Sequence, residues 1–186
     1  MRLNAAAALL VLLGAPAAAQ DARTEQIFSP FVASEPGAHA CWRRTYTSDH
    51  LAAHPDQLVK DIELRLAYQV YGAEQGFDEP AYGHPFQLLV SRRGDDRRLE
   101  AAGECIPQPN GRIFCGVECD GGGLYLHERA QGKVLVGFEG MWGIALSECG
   151  TDPEEGYGEP LVPGKDDREF LLSPVAAAAC PHPDDW

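Results

Sequence analysis

The feature that most constrains this chain is the alternation over residues 61–70. Ile62, Leu64, Leu66, Tyr68 and Val70 fall on one side of an extended backbone, and Asp61, Glu63, Arg65 and Gln69 fall on the other. Ten residues of period two with one apolar and one charged side predict a strand with a wet outer face, which belongs in an antiparallel sheet. Short strand-forming runs recur over 86–91, 98–106, 113–119, 123–129, 133–139, 143–149 and 169–172. Between them stand the turn formers Arg93-Gly94-Asp95-Asp96, Pro109-Asn110-Gly111, Asp120-Gly121-Gly122, Gln131-Gly132 and Gly140-Met141-Trp142-Gly143. A meander of this length hides its edges most simply by closing. The expected fold is therefore all-β, a small antiparallel up-and-down β-barrel of about eight strands. Its inward face is expected to carry Ile62, Leu64, Leu66, Tyr68 and Val70.

The remainder of the chain frames that domain, expected at 41–186. Residues 1–19 read as an export leader, with Arg2 as the positive start, an apolar run over 5–13 and a small-residue cleavage site at Ala17-Ala18-Ala19. Residues 20–40 mix Pro, Gly, Ser and charge without periodicity and read as an N-terminal arm. After it, Ser48 as N-cap, Asp49 in the first turn and Pro55 bounding His54 predict a short helical turn. Residues 150–167 are a long polar loop, and 173–186 a tail pinned by Cys180.

The six cysteines, Cys41, Cys105, Cys115, Cys119, Cys149 and Cys180, all follow the leader. An even count in an exported chain reads as a disulfide framework, so a periplasmic or secreted location is expected. If Pro109-Asn110-Gly111 is a three-residue hairpin loop, Cys105 and Cys115 lie opposite each other on one face and can bridge. A two-residue Asn110-Gly111 turn would set Cys105 against Gly116 instead. With Cys105–Cys115 placed, Cys119–Cys149 and Cys41–Cys180 are the pairs left over. No later run reaches the length of a membrane-spanning helix, so no transmembrane segment is expected once the leader is gone.

The formal net charge is −13, with 28 acidic against 15 basic residues, and loss of Arg2 with the leader makes it −14. Such a surface repels nucleic acid and anionic headgroups and attracts cationic partners. Chemistry-bearing patterns are few. His50 and His54, four apart on one helical face, are candidate metal ligands, but a third ligand is not evident. Cys115-Gly116-Val117-Glu118-Cys119 has the wrong spacing for a zinc knuckle or a thioredoxin centre and reads as disulfide halves. Oxygen-rich stretches at Asp120, at Glu154, Glu155 and Glu159, and at Asp166 and Asp167 match no calcium-loop spacing. Arg93-Gly94-Asp95 reads as a charged hairpin tip. No nucleophile elbow, zinc-protease helix or phosphate loop is present, and no cofactor is expected. Met141 and Trp142 sit at a turn tip, where Trp142 either folds back to plug one barrel end or anchors a partner; the plug is the plainer reading. Counting turns places Asp120 with Met141 and Trp142 at one end and Gln131-Gly132 at the other.

The stretch Cys41-Trp42-Arg43-Arg44-x-Tyr46 through His50-Leu51-Ala52-Ala53-His54-Pro55-x-Gln57-x-Val59, with Cys115-x-x-x-Cys119-Asp120-Gly121-Gly122, resembles a pattern in exported bacterial proteins of unassigned activity. The strand pattern is similar in outline to lipocalin-like barrels and to periplasmic barrels that inhibit lysozyme or proteases, without the lipocalin Gly-x-Trp signature. That likeness implies a fold only. The expected function is a non-enzymatic cell-envelope protein that binds a small ligand or a basic protein, with Asp120, Met141 and Trp142 as the contact set. The alternative is a metal-dependent or hydrolytic enzyme using His50, His54 and loop carboxylates.

Overall fold

A computed structural model describes residues 17–148 and 160–186. Eight antiparallel strands close into a barrel: β1 (His39–Thr45), β2 (Val59–Ala67), β5 (Pro85–Arg92), β6 (Arg98–Pro107), β7 (Ile113–Gly116), β8 (Gly123–Arg129), β9 (Lys133–Gly137) and β11 (Glu169–Pro174). Each pairs with the next in chain order, and β11 pairs back onto β1 with Trp42 opposite Pro174. The hairpin β3 (Gln69–Tyr71) and β4 (Ala81–Gly83) stands between β2 and β5, and the two-residue β10 (Ser147–Glu148) lies against the start of β6.

The alternation on β2 determines which side is core. Ile62, Leu64 and Leu66 are fully buried, and Asp61, Glu63 and Arg65 lie on the outer side. A barrel with apolar side chains inside and charged ones outside is the reverse of a lipid-facing barrel. No described helix is long and apolar enough to cross a membrane. The interior is filled by side chains, among them Phe86, Leu88, Leu99, Leu124 and Phe170, each 2% exposed or less. At 25 cal/mol or so per Å² of apolar surface, this packing is the main favourable term in folding.

Two bridges close on the barrel. Cys105 faces Cys115 across β6 and β7, and Pro109-Asn110-Gly111 forms the three-residue loop that aligns them, with the Gln108 N–H donating to the Arg112 carbonyl at 2.7 Å. Cys41 on β1 bridges to Cys180 in the tail, 139 residues away. Cys119 is exposed and outside both bridges, and Cys149, its expected partner, lies outside the described residues.

Several elements differ from expectation. The run 61–70 is two strands, because β2 ends at Ala67 and Gln69–Tyr71 turns out to pair with β4; Val70 is accordingly half-buried. The run 143–149 is described as far as 148, and that part is not a barrel strand: Ile144 makes single bridges to Gly122 and Leu161, and Ser147–Glu148 pairs with β6. Its buried Ile144 and Leu146 mimic a strand's alternation while sealing a loop. The eighth strand is β1. Strand β7 stops at Gly116, and Cys119 has φ 58. The short helix α2 (Ser48–Ala53) is capped by Thr47, whose hydroxyl accepts from the His50 N–H, one residue earlier than expected.

Residues 20–40, expected as an N-terminal arm, contribute side chains to the core. Helix α1 (Ala17–Phe28) crosses the expected cleavage site and ends over the barrel mouth, where Phe28, Phe31 and Val32 join the core.

Candidate functional site

Up-and-down topology sorts every connection to one of two ends. The start of β1, the β6–β7 and β8–β9 turns and the tail share one end; α2, residues 93–97, 117–122 and the long segment after β9 share the other. Asp120, Met141 and Trp142 therefore meet at the second, loop-rich end. The two turns touch: the Gly123 N–H donates to the Gly143 carbonyl at 3.0 Å, and the Ala145 N–H to the Gly121 carbonyl at 2.7 Å. The contact requires glycine, since a Cβ at Gly122 (φ 72) would meet the Gly143 carbonyl and the Trp142 ring. Trp142 lies across Gly122 and is 50% exposed, so it plugs nothing. Met141 packs against the core beneath it, while Asp120 is exposed. The plug is at the opposite end, where Phe28 stacks on His84 at 3.5 Å between ring centroids and Phe31 meets Trp42 edge-on.

His50 on α2 and His54 at its C-cap lie side by side, with rings stacked at 4.1 Å and Tyr46 stacked on His50 at 4.8 Å. Each has one ring nitrogen engaged: His50 Nε2 with Gln57 Oε1 at 3.0 Å, His54 Nδ1 with the His50 carbonyl at 2.8 Å. Among the described residues no group of three or more His, Cys, Asp or Glu side chains is placed to hold a metal ion. Asp167 accepts from the backbone N–H groups of Leu58 (2.6 Å) and Val59 (3.3 Å). Burial pushes its carboxyl up against the pull of those two donors. It is a capping residue, not an open oxygen ligand; Glu154, Glu155 and Glu159 lie outside the described residues. The Arg93-Gly94-Asp95 tip is equally occupied. Arg93 donates to the carbonyls of Leu51, His54 and Gln57, and Asp95 is held by Arg97, which takes its carboxyl down to about 2.

The outer flank holds a feature the sequence did not flag. β6 pairs with β10 as far as Glu100 and with β7 only from Glu104, so Ala101, Ala102 and Gly103 lack a ladder partner on that side. A groove of about 770 Å³ opens there, lined among others by Tyr71, Glu100, Ala102, Glu104, Ile106 and Phe114. Glu104 accepts from the Tyr71 hydroxyl at 3.1 Å and from the His84 N–H. Burial raises the Glu104 carboxyl, with those two donors pulling the other way; burial and the nearby carboxylate push Tyr71 to about 12. The outward run Glu100, Ala102, Glu104, Ile106 was readable as the complement of the inward Leu99, Ala101, Cys105 face. The aromatic walls come from other strands.

Comparison with known proteins gives no matching family, no curated relative and no matching solved structure.

Proposed function

We propose that this is an exported, non-enzymatic binding protein of the cell envelope, periplasmic or secreted, that docks a cationic protein partner on the rim formed by Asp120, Met141 and Trp142. The observation that carries this reading is the half-exposed indole of Trp142 lying on Gly122, beside the exposed Asp120 loop. A large aromatic held at a rim by packing beneath it is the usual form of an interface anchor. Three facts support the rest. The filled interior leaves the outside as the place for a partner, in preference to a small ligand within. The net charge of −13 favours a basic protein and its fast encounter. Two disulfides suit an oxidising compartment. The resemblance in strand pattern to periplasmic inhibitor barrels makes basic hydrolases, lysozyme included, the first partners to titrate.

The test is a titration of purified basic hydrolases at low and high salt. A partner is expected to bind at low salt and weaken as salt rises. Against it, Trp142→Ala is expected to lose about 2 kcal/mol of binding with the melting temperature nearly unchanged. Loss of melting temperature with binding intact would remove Trp142 from the site. Stoichiometric zinc or copper in the purified protein would overturn the non-enzymatic reading.

A further inference from the structure

We propose that the groove on the outer flank of β6 is a second binding site, built for an extended basic segment of a protein partner, with guanidinium or ammonium side chains meeting Glu100 and Glu104. The claim shares with the rim the cationic nature of the partner and no residue.

The geometry of the strand sets what fits. Glu100, Ala102, Glu104 and Ile106 project outward from β6 at alternate positions, roughly 6.6 Å apart at ordinary strand rise. An extended peptide laid along this face repeats at the same spacing. Basic residues four apart then reach the two carboxylates, and the residue midway faces the small side chain of Ala102. The ladder gap opens room for the approaching chain at Ala101 and Ala102, and closes at Gly103, where the Gly116 backbone comes too near for a Cβ.

The walls suit the stem as well as the head of a long basic side chain. Tyr71 and Phe114 bring aromatic rings to the groove, and Val117 and the 49%-exposed Ile106 offer apolar contact for methylenes. Glu118 adds a third carboxylate, and among the described residues no Arg or Lys lines the groove. Glu104 carries the argument furthest. It is partly withdrawn from water, yet the groups that satisfy it are a phenol and a backbone N–H, both neutral. A carboxylate desolvated without a counter-ion is costly, and an incoming cation relieves that cost where an exposed glutamate would gain little.

The test uses the full chain and acetyl-Arg-Ser-Val-Ser-Arg-amide, whose same-face residues are Arg, Val and Arg. The comparison probes are acetyl-Arg-Arg-Ser-Val-Ser-amide, of equal charge and different spacing, and spermidine. Calorimetric titration at low salt is expected to favour the first peptide over both. Glu104→Gln is expected to weaken it by about tenfold, the loss of one charge-assisted contact, and Trp142→Ala to leave it unchanged. Ala102→Arg, on an exposed position, is expected to fill the groove from within and abolish binding, which decides the matter if Glu104→Gln does not fold. Equal binding of all three probes, or indifference to both groove substitutions, would overturn the proposal. A loss on Trp142→Ala equal to that on Glu104→Gln would reassign the peptide to the rim.

Discussion

The two ends of this barrel are closed by different physics. At the helix end the cover is apolar: Phe28 is fully buried against His84, Phe31 meets Trp42, and the Trp42 indole N–H donates to the Gly132 carbonyl at 2.8 Å. The tail is then tied down by Cys41–Cys180. At the loop end the cover is backbone held by charged side chains: Asp167 on the Leu58 and Val59 N–H groups, Arg93 on three carbonyls, and Arg92 on the Pro160 carbonyl at 2.8 Å. An apolar plug gains from area without needing direction, so it suits an end whose task is to seal. Polar clamps fix loops in one arrangement, which suits the end where we propose that Trp142 meets a partner.

The largest test of this contrast is Phe28→Ala. Deleting a fully buried ring is expected to cost about 3–5 kcal/mol in a urea titration, the range for an aromatic truncated in a packed core. A loss below about 1 kcal/mol would mean that the helix rests on the barrel without plugging it. The matching test at the loop end is Asp167→Ala. It leaves the buried Val59 N–H and the half-buried Leu58 N–H without their acceptor and is expected to cost about 2 kcal/mol. Because Asp167 acts on loop placement, its loss should also weaken partner binding at the rim, whereas Phe28→Ala should not. The same pattern from both variants would erase the distinction between sealing and presenting.

The difference between the ends also explains what could be read in the sequence. Strand β2 was legible because one side carries the buried Ile62, Leu64 and Leu66 and the other the charged Asp61, Glu63 and Arg65, which pair with one another or with Arg43 and Arg98. Strand β1 was not. Its inward residues are Ala40, Trp42 and Arg44, and its outward Cys41 is buried by the tail through a bridge to Cys180, so no alternation survives. The total of eight strands was reached with 143–149 standing in for β1. Helix α1 gave no period because its core contact comes from Ile27 and Phe28 at its end, while Arg23 reaches the Pro109 carbonyl from an exposed position. Cys105–Cys115 was legible since one hairpin fixes it, and the shared end of Asp120 and Trp142 followed from counting turns. The flank groove was not legible, because it arises where β6 changes partners between two segments some thirty residues apart in sequence.

The smallest expected effect concerns how well the helix end is sealed. His84 is 5% exposed beneath the Phe28 ring, its Nε2 has no hydrogen-bond partner among the described residues, and burial lowers its pKa from 6.5 to about 4. The folded state thus resists a proton that the unfolded chain accepts readily. This group's contribution is fully present above pH 6.5, declines as pH falls, and levels off below about 4. Glu104 and Asp167 have the opposite sign, since burial raises their carboxyls and folding then favours their protonated forms at low pH. The whole-protein curve therefore mixes both, and the difference between the wild type and His84→Gln isolates the imidazole. The substitution keeps the backbone N–H that Glu104 accepts. Urea midpoints measured from pH 8 to 4 are expected to give a difference that is flat above 6.5 and then shifts steadily toward the variant as the wild type loses ground. A flat difference throughout would mean that His84 titrates as it does in water. Water would then reach it past Phe28, and the helix end would be no better sealed than the loop end.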